Sequence, residues 1–152
     1  MLTILGTRHS TTSGDGPEGA ATKNLHSQVP LIAAEFPEIQ GCHRGTINLK
    51  FENALIIANP DYRTSPIPWH PDHAPGEVFD FLRIQLEAPE GRNRIDAWIY
   101  VAHHSDHRND PRMHEILASE LCNLSGNASC RIHIDRNVIE LPYRTNRTFV
   151  VV

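Results

Sequence analysis

Apolar and polar residues alternate along this chain in several short runs, which is the signature of half-buried strands rather than of long helices. In Thr46-Ile47-Asn48-Leu49-Lys50-Phe51 the apolar side chains fall at every second position. Ile47, Leu49 and Phe51 then share one face of a strand, and Thr46 and Asn48 share the other. Leu82, Ile84 and Leu86 alternate with Arg83 and Gln85 within Val78–Leu86, and Arg94–Val101 repeats the pattern after a Pro-Glu-Gly-Arg-Asn turn, so the two predict a hairpin. Met1–Gly6 and Ser129–Ile134 add two more strands, Val138–Leu141 another, and Ala54–Ala58 either continues the Thr46 strand or lies beside it. Phe149-Val150-Val151-Val152 is an apolar tail that needs covering, as an edge strand or in an interface between copies of the chain.

Helical spacing occurs twice. Val29, Ile32, Ala33 and Phe36 predict a helix over 27–39, with Pro30 in its first turn and Pro37 and Gly41 closing it. Met113, Ile116, Leu117 and Leu121 predict a second over 111–121, opened by Pro111. The chain between 59 and 76 carries Pro60, Pro66, Pro68, Pro71 and Pro75 and reads as a loop. At least five alternating strands and two short helices in 152 residues predict one mainly β domain spanning 1–152.

Composition narrows the function classes. A formal charge of −4 gives no reason to expect nucleic acid or an anionic membrane as partner. No apolar run reaches the roughly 20 residues of a membrane span, and no signal-peptide pattern is seen at the N-terminus. Cys42, Cys122 and Cys130 are few, odd in number and widely spaced, the pattern of reduced thiols in a cytoplasmic protein.

Three stretches carry candidate chemistry. Gly14-Asp15-Gly16-Pro17-Glu18-Gly19 has the bare spacing of a dinucleotide fingerprint. Pro17, Asn24, His26 and Ser27 argue against the helix that a Rossmann unit needs directly afterwards. A glycine-rich loop still offers N–H groups to phosphate, and a plain surface loop fits equally well. His70-Pro71-Asp72-His73 places two imidazoles and a carboxylate together, but with no third ligand at a fixed spacing, and a loop packed by Trp69 accounts for it more simply. His103-His104-Ser105-Asp106-His107-Arg108-Asn109-Asp110 is the densest titratable group. It reads as a solvated loop, a substrate-binding loop or a metal cluster that lacks a fourth ligand. On the Thr46 strand, the hydroxyl of Thr46 and the amide of Asn48 are hard oxygen donors side by side, which suits Mg²⁺, although an ordinary polar outer face has the same spacing.

Gly45-Thr46-Ile47-Asn48-Leu49-Lys50 resembles the Gly-Thr-Leu-Asn-Leu/Val-Lys segment of the archaeal CTP-dependent riboflavin kinases. Ile95-Asp96-Ala97 is similar to the start of a strand in that family, Glu115-Ile116-Leu117-Ala118-Ser119 to its Glu-Ile-Ile-Ala-Pro, and Asn123–Asn127 to a turn before its last strand. The resemblance spans roughly residues 2–135 and implies a single six-stranded cradle-loop β-barrel with a few short helices. It implies that Thr46 and Asn48 hold Mg²⁺ against the nucleotide phosphates, that Gly14, Asp15, Gly16 and Gly19 belong to a phosphate-cradling loop, and that Glu115 accepts a hydrogen bond from the flavin. Arg44 stands where the family commonly has a tyrosine, and is placed to add a phosphate contact. The flavin-facing loop of the family carries a Thr; here Ser105 is the nearest hydroxyl and His107 stands at the matching place. The basic nucleotide segment that follows the Glu string is several residues shorter here.

The expected function is therefore CTP-dependent phosphorylation of riboflavin to FMN, with flavin and nucleoside triphosphate as small-molecule partners. Two alternatives stand beside it. One is a barrel that binds flavin or nucleotide without turnover, and the other a metal-dependent hydrolase built on His103, His104 and His107.

Overall fold

In the computed structural model six strands close into an antiparallel barrel. The described residues are 1–9, 20–88, 93–104, 110–119, 128–140 and 149–151, with side chains left aside at 20–23 and 149–151. The ring runs β1 (Leu2–Arg8), β2 (Thr46–Phe51), β7 (Met113–Ala118), β6 (Arg94–Ala102), β5 (Phe79–Glu87), β8 (Ser129–Ile134) and back to β1. Leu2–Thr7 of β1 pairs with Ser129–Ile134, and Ile84–Glu87 of β5 pairs with Arg131–Ile134, so β8 closes the ring. Two-residue strands flank it: β4 (Tyr62–Arg63) adds to β5, and β3 (Ile56–Ile57) pairs with β9 (Ile139–Glu140) in a separate small sheet. The apolar tail forms β10 (Phe149–Val151), which lies antiparallel to the first half of β1. Its backbone is covered as an edge strand within the chain, the first of the two expected outcomes.

The period-two pattern fills the barrel. Leu2, Ile4, Leu49, Phe51, Leu82, Ile84, Leu86, Ile99, Ile116, Ile132 and Ile134 pack as one interior cluster, every one of them 3% exposed or less. Gly6 is required there, because a Cβ on it would lie 2.8 Å from Cε1 of the buried Phe51 ring. A second apolar layer sits outside the barrel wall. The helix α1 (Ala20–Ala33) lays Leu25, Val29 and Ile32 over Phe79, Phe81, Trp98, Tyr100 and Leu117, and Phe36 stacks on Tyr62 at 4.3 Å.

Two helix expectations change. α1 begins at Ala20, seven residues earlier than expected, and ends at Ala33. Asn24, His26 and Ser27, taken as helix breakers, lie exposed on its outer side, while Leu25, Val29 and Ile32 at i, i+4 and i+7 face the wall. Pro30 falls inside the helix, and only three residues follow before it ends. A short 3-10 turn, Pro37–Ile39, comes after it.

The helix expected over 111–121 is corrected, since Met113–Ala118 is strand β7 and 120–121 lie outside the described residues. Ile116 points into the barrel and Leu117 into the layer beneath α1, both fully buried. A strand buried on both faces loses its alternation, so its apolar run imitates helical spacing. The segment 54–58 contributes only β3, which pairs with β9 and does not extend β2.

Candidate functional site

Because Ile47, Leu49 and Phe51 point into the barrel, Thr46 and Asn48 face outward, on the side that carries α1 further round the wall. They are nonetheless covered: Thr46 is 8% exposed and Asn48 2%. The β2–β7 register sets Asn48 directly opposite Glu115, itself 9% exposed, and the β7–β6 register sets Glu115 opposite Tyr100. A polar row Asn48–Glu115–Tyr100 therefore crosses three strands, where direct cross-strand neighbours have Cβ atoms roughly 5 Å apart. The Thr46 hydroxyl donates to Glu115 Oε1 at 3.4 Å, joining residues 69 apart in sequence. The Tyr100 hydroxyl donates to Gln28 Oε1 of α1 at 2.5 Å. Burial pushes the Tyr100 phenol well above its usual value, and the negative charges of Glu115 and Glu77 push it the same way. Tyr100 is thus a fixed neutral donor at the β6 end of the row.

Arg44 lies just before β2, half-buried, and donates from Nη1 to the Cys42 carbonyl at 2.9 Å. Burial raises the Cys42 thiol, an effect that the Arg44 charge partly opposes. Thr46, Asn48 and Glu115 are therefore gathered on the outer face of the β2–β7 pair, and Arg44 precedes Thr46 in the chain. The hydroxyl, amide oxygen and carboxylate found there are all hard oxygen donors, the set that Mg²⁺ takes. Gly14, Asp15, Gly16, Gly19, Ser105 and His107 lie outside the described residues.

A cavity of about 240 Å³ opens beside this row, lined among others by Arg63, Asp80, Tyr100, His114 and Glu115. Asp80 anchors its rim. Arg63 donates to both Asp80 carboxylate oxygens, at 2.7 and 3.0 Å, and His103 Nε2 lies 2.8 Å from Oδ2. Burial works to raise the Asp80 carboxyl, but the Arg63 and His103 hydrogen bonds outweigh it and hold the group below the usual carboxylate range. His114, opposite Leu49, has its pKa lowered by burial, and its Nε2 lies 3.0 Å from the Pro111 carbonyl.

The histidine-rich loops divide in a way that their sequence does not suggest. His103 engages Asp80, while His104 turns toward His73 and Glu77. His70 uses Nδ1 to accept from the Asp72 N–H at 3.1 Å, capping the short Pro71–His73 turn. Sequence reasoning missed Gln28, Arg63, Glu77, Asp80 and Tyr100. The available signal was an acidic residue at each of two places, Glu77 and Asp80, beside the otherwise apolar opening of β5. No protein-family model matches this chain, and no curated protein matches it either.

Proposed function

We propose that this protein is a Mg²⁺-dependent phosphotransferase of the riboflavin kinase kind, with CTP as donor and the primary hydroxyl of riboflavin as acceptor. The observation that supports this reading most is the meeting of Thr46, Asn48 and Glu115. The resemblance drew these residues from two separate motifs, and here they form one buried cross-strand group. Thr46 and Asn48 are the residues that hold Mg²⁺ in this reading, and the ion supplies charge neutralisation to the transferring phosphoryl group. Glu115 accepts the hydrogen bond of the acceptor hydroxyl and takes its proton as the oxygen bonds to the γ-phosphorus and CDP leaves. Arg44 contributes a cation beside the phosphates. Tyr100, held neutral by burial and tied to Gln28 of α1, stands opposite Glu115 as a polar neighbour.

The run Gly14–Gly19 leads directly into the N-terminus of α1, an arrangement in keeping with a phosphate-cradling role. The cavity is smaller than the roughly 300–1,000 Å³ of sites that enclose a cofactor-sized ligand. It accepts one end of a flavin, with the remainder held outside. Among the described residues Cys42 and Cys130 are buried and in no disulfide, in keeping with a reducing, cytoplasmic setting. Among the described residues no helix is long and apolar enough to cross a membrane.

Calorimetric titration of CTP with and without Mg²⁺, and of riboflavin, tests the assignment. Asn48→Leu is expected to abolish Mg²⁺-dependent nucleotide binding while leaving riboflavin binding intact, and Glu115→Gln to weaken riboflavin binding. Nucleotide binding that Asn48→Leu leaves unchanged contradicts the metal role. Ligand binding by the parent without FMN formation identifies the non-catalytic barrel instead.

A further inference from the structure

The proline-rich loop and the exit of β6 meet at a group that the phosphotransfer reading does not use. One donor atom each from His73, Glu77 and His104 lie within 4.8 Å of one another. His73 ends the Pro71–His73 turn, Glu77 precedes β5, and His104 follows β6, so neither loop holds the set alone. Of His70-Pro71-Asp72-His73 only His73 belongs to the set, which Glu77 and His104 complete. The His73 and His104 rings lie 4.8 Å apart, and Trp69 packs 5.4 Å from His73.

We infer that His73, Glu77 and His104 form a binding site for a divalent transition metal ion of the zinc class. Two imidazoles and a carboxylate suit such an ion rather than Mg²⁺, and three protein ligands leave a fourth position open. Glu77 is 1% exposed, a carboxylate taken out of water. Its Oε1 accepts from Trp69 Nε1 at 2.8 Å and its Oε2 from the His104 backbone N–H. Both donors are neutral, so they orient the carboxylate without cancelling its charge, as the supporting contacts of a metal-binding carboxylate do. A bound cation cancels it.

The backbone is set for the same purpose. Ile67 and Glu77 exchange hydrogen bonds at 2.8 and 3.0 Å, and the His103 N–H donates to the Val78 carbonyl at 3.1 Å. Gly76 permits this closeness, since a Cβ there would stand 2.8 Å from the Pro66 carbonyl carbon. A tetrahedral zinc with ligands near 2.0–2.1 Å brings donor atoms to about 3.3 Å of each other. His73 is half-buried and His104 exposed, so side-chain rotation draws the donors in while Glu77 stays fixed. The ion then ties the loop before β5 to the end of β6 at the edge of the candidate site, where Asp80 already binds His103.

The test is titration of the chelator-treated full chain with Zn²⁺ and with Co²⁺, followed by calorimetry and by the visible absorption of bound cobalt. One ion per chain is expected, with the intense visible bands of a four-coordinate cobalt site. His73→Ala and His104→Ala are each expected to lower zinc affinity by roughly 100-fold or more, since loss of supporting contacts alone costs 10–100-fold. Glu77→Gln keeps the shape of the buried side chain and should lower affinity likewise. His43→Ala, on an exposed residue elsewhere, should leave affinity unchanged. Zinc binding that survives the His73→Ala/His104→Ala double substitution overturns the inference, as does absence of saturable one-to-one binding in the parent. His104 is exposed, so circular dichroism of His104→Ala separates a lost ligand from a lost fold.

Discussion

Replacing Arg63 by Gln removes the guanidinium from a carboxylate that folding has already withdrawn from water. The Asp80 side chain is 6% exposed and that of Arg63 57%, so the pair lies between two limits. A fully exposed pair contributes about 0–1 kcal/mol, and removing one partner of a fully buried pair costs about 3–5 kcal/mol. His103 remains as a second partner at 2.8 Å, which places the expected loss at about 1.5–2.5 kcal/mol. For a chain of this size that corresponds to a fall in Tm of roughly 3–10 °C. The pH dependence has a definite sign. The folded pKa of Asp80 is depressed, so the stabilisation is complete above the unfolded value of 3.8 and is lost as pH falls through the lower folded value. Urea unfolding of parent and Arg63→Gln, followed by tryptophan fluorescence, measures the difference at pH 7 and again below pH 4. Coincident midpoints at pH 7, or a deficit that persists undiminished in strong acid, would refute the reasoning.

Other outcomes follow from the same geometry. His114 is kept neutral by burial, so the unfolded chain takes up its proton first, and stability should erode as pH drops below the ordinary value of 6.5. Denaturation from pH 7.5 to 5 should show a slope that is reduced in His114→Gln. Leu117→Ala should cost about 2–5 kcal/mol in chemical denaturation, because Leu117 is fully buried beneath α1; a loss below 1 kcal/mol would contradict a strand packed on both faces. Gly76→Ala drives a Cβ into backbone at Pro66 and Ile67, so it should lower zinc affinity and alter Trp69 fluorescence without touching a ligand.

The barrel was legible because its inward residues are spaced by two with few interruptions. Ile47, Leu49 and Phe51, and Leu82, Ile84 and Leu86, all pack where their alternation placed them. β7 was not legible, because Ile116 and Leu117 are both buried, against opposite layers, and with Met113 they fall at the i, i+3, i+4 spacing of a helix. α1 was truncated in the sequence reading because Asn24, His26 and Ser27 are poor helix formers in isolation. Tertiary cover from Leu25, Val29 and Ile32 outweighs that propensity. The candidate site was half legible. Thr46, Asn48 and Glu115 stood out as motifs, whereas Tyr100 joins them only through the β6–β7 register and Gln28 only through the placement of α1. The His73–Glu77–His104 group was hidden for a related reason, since its donors come from two segments that only the β5–β6 register sets side by side.

Formation of FMN tests the central claim most directly. The parent protein, Asn48→Leu and Glu115→Gln are incubated with riboflavin, Mg²⁺ and either CTP or ATP, and FMN is separated and quantified. The parent should form FMN from CTP, and each variant should be slower by roughly 100-fold or more, as expected when a transition-state contact is removed. Both variants should keep a cooperative unfolding transition. No FMN from either nucleotide, or equal rates in parent and variants, would contradict the phosphotransferase reading.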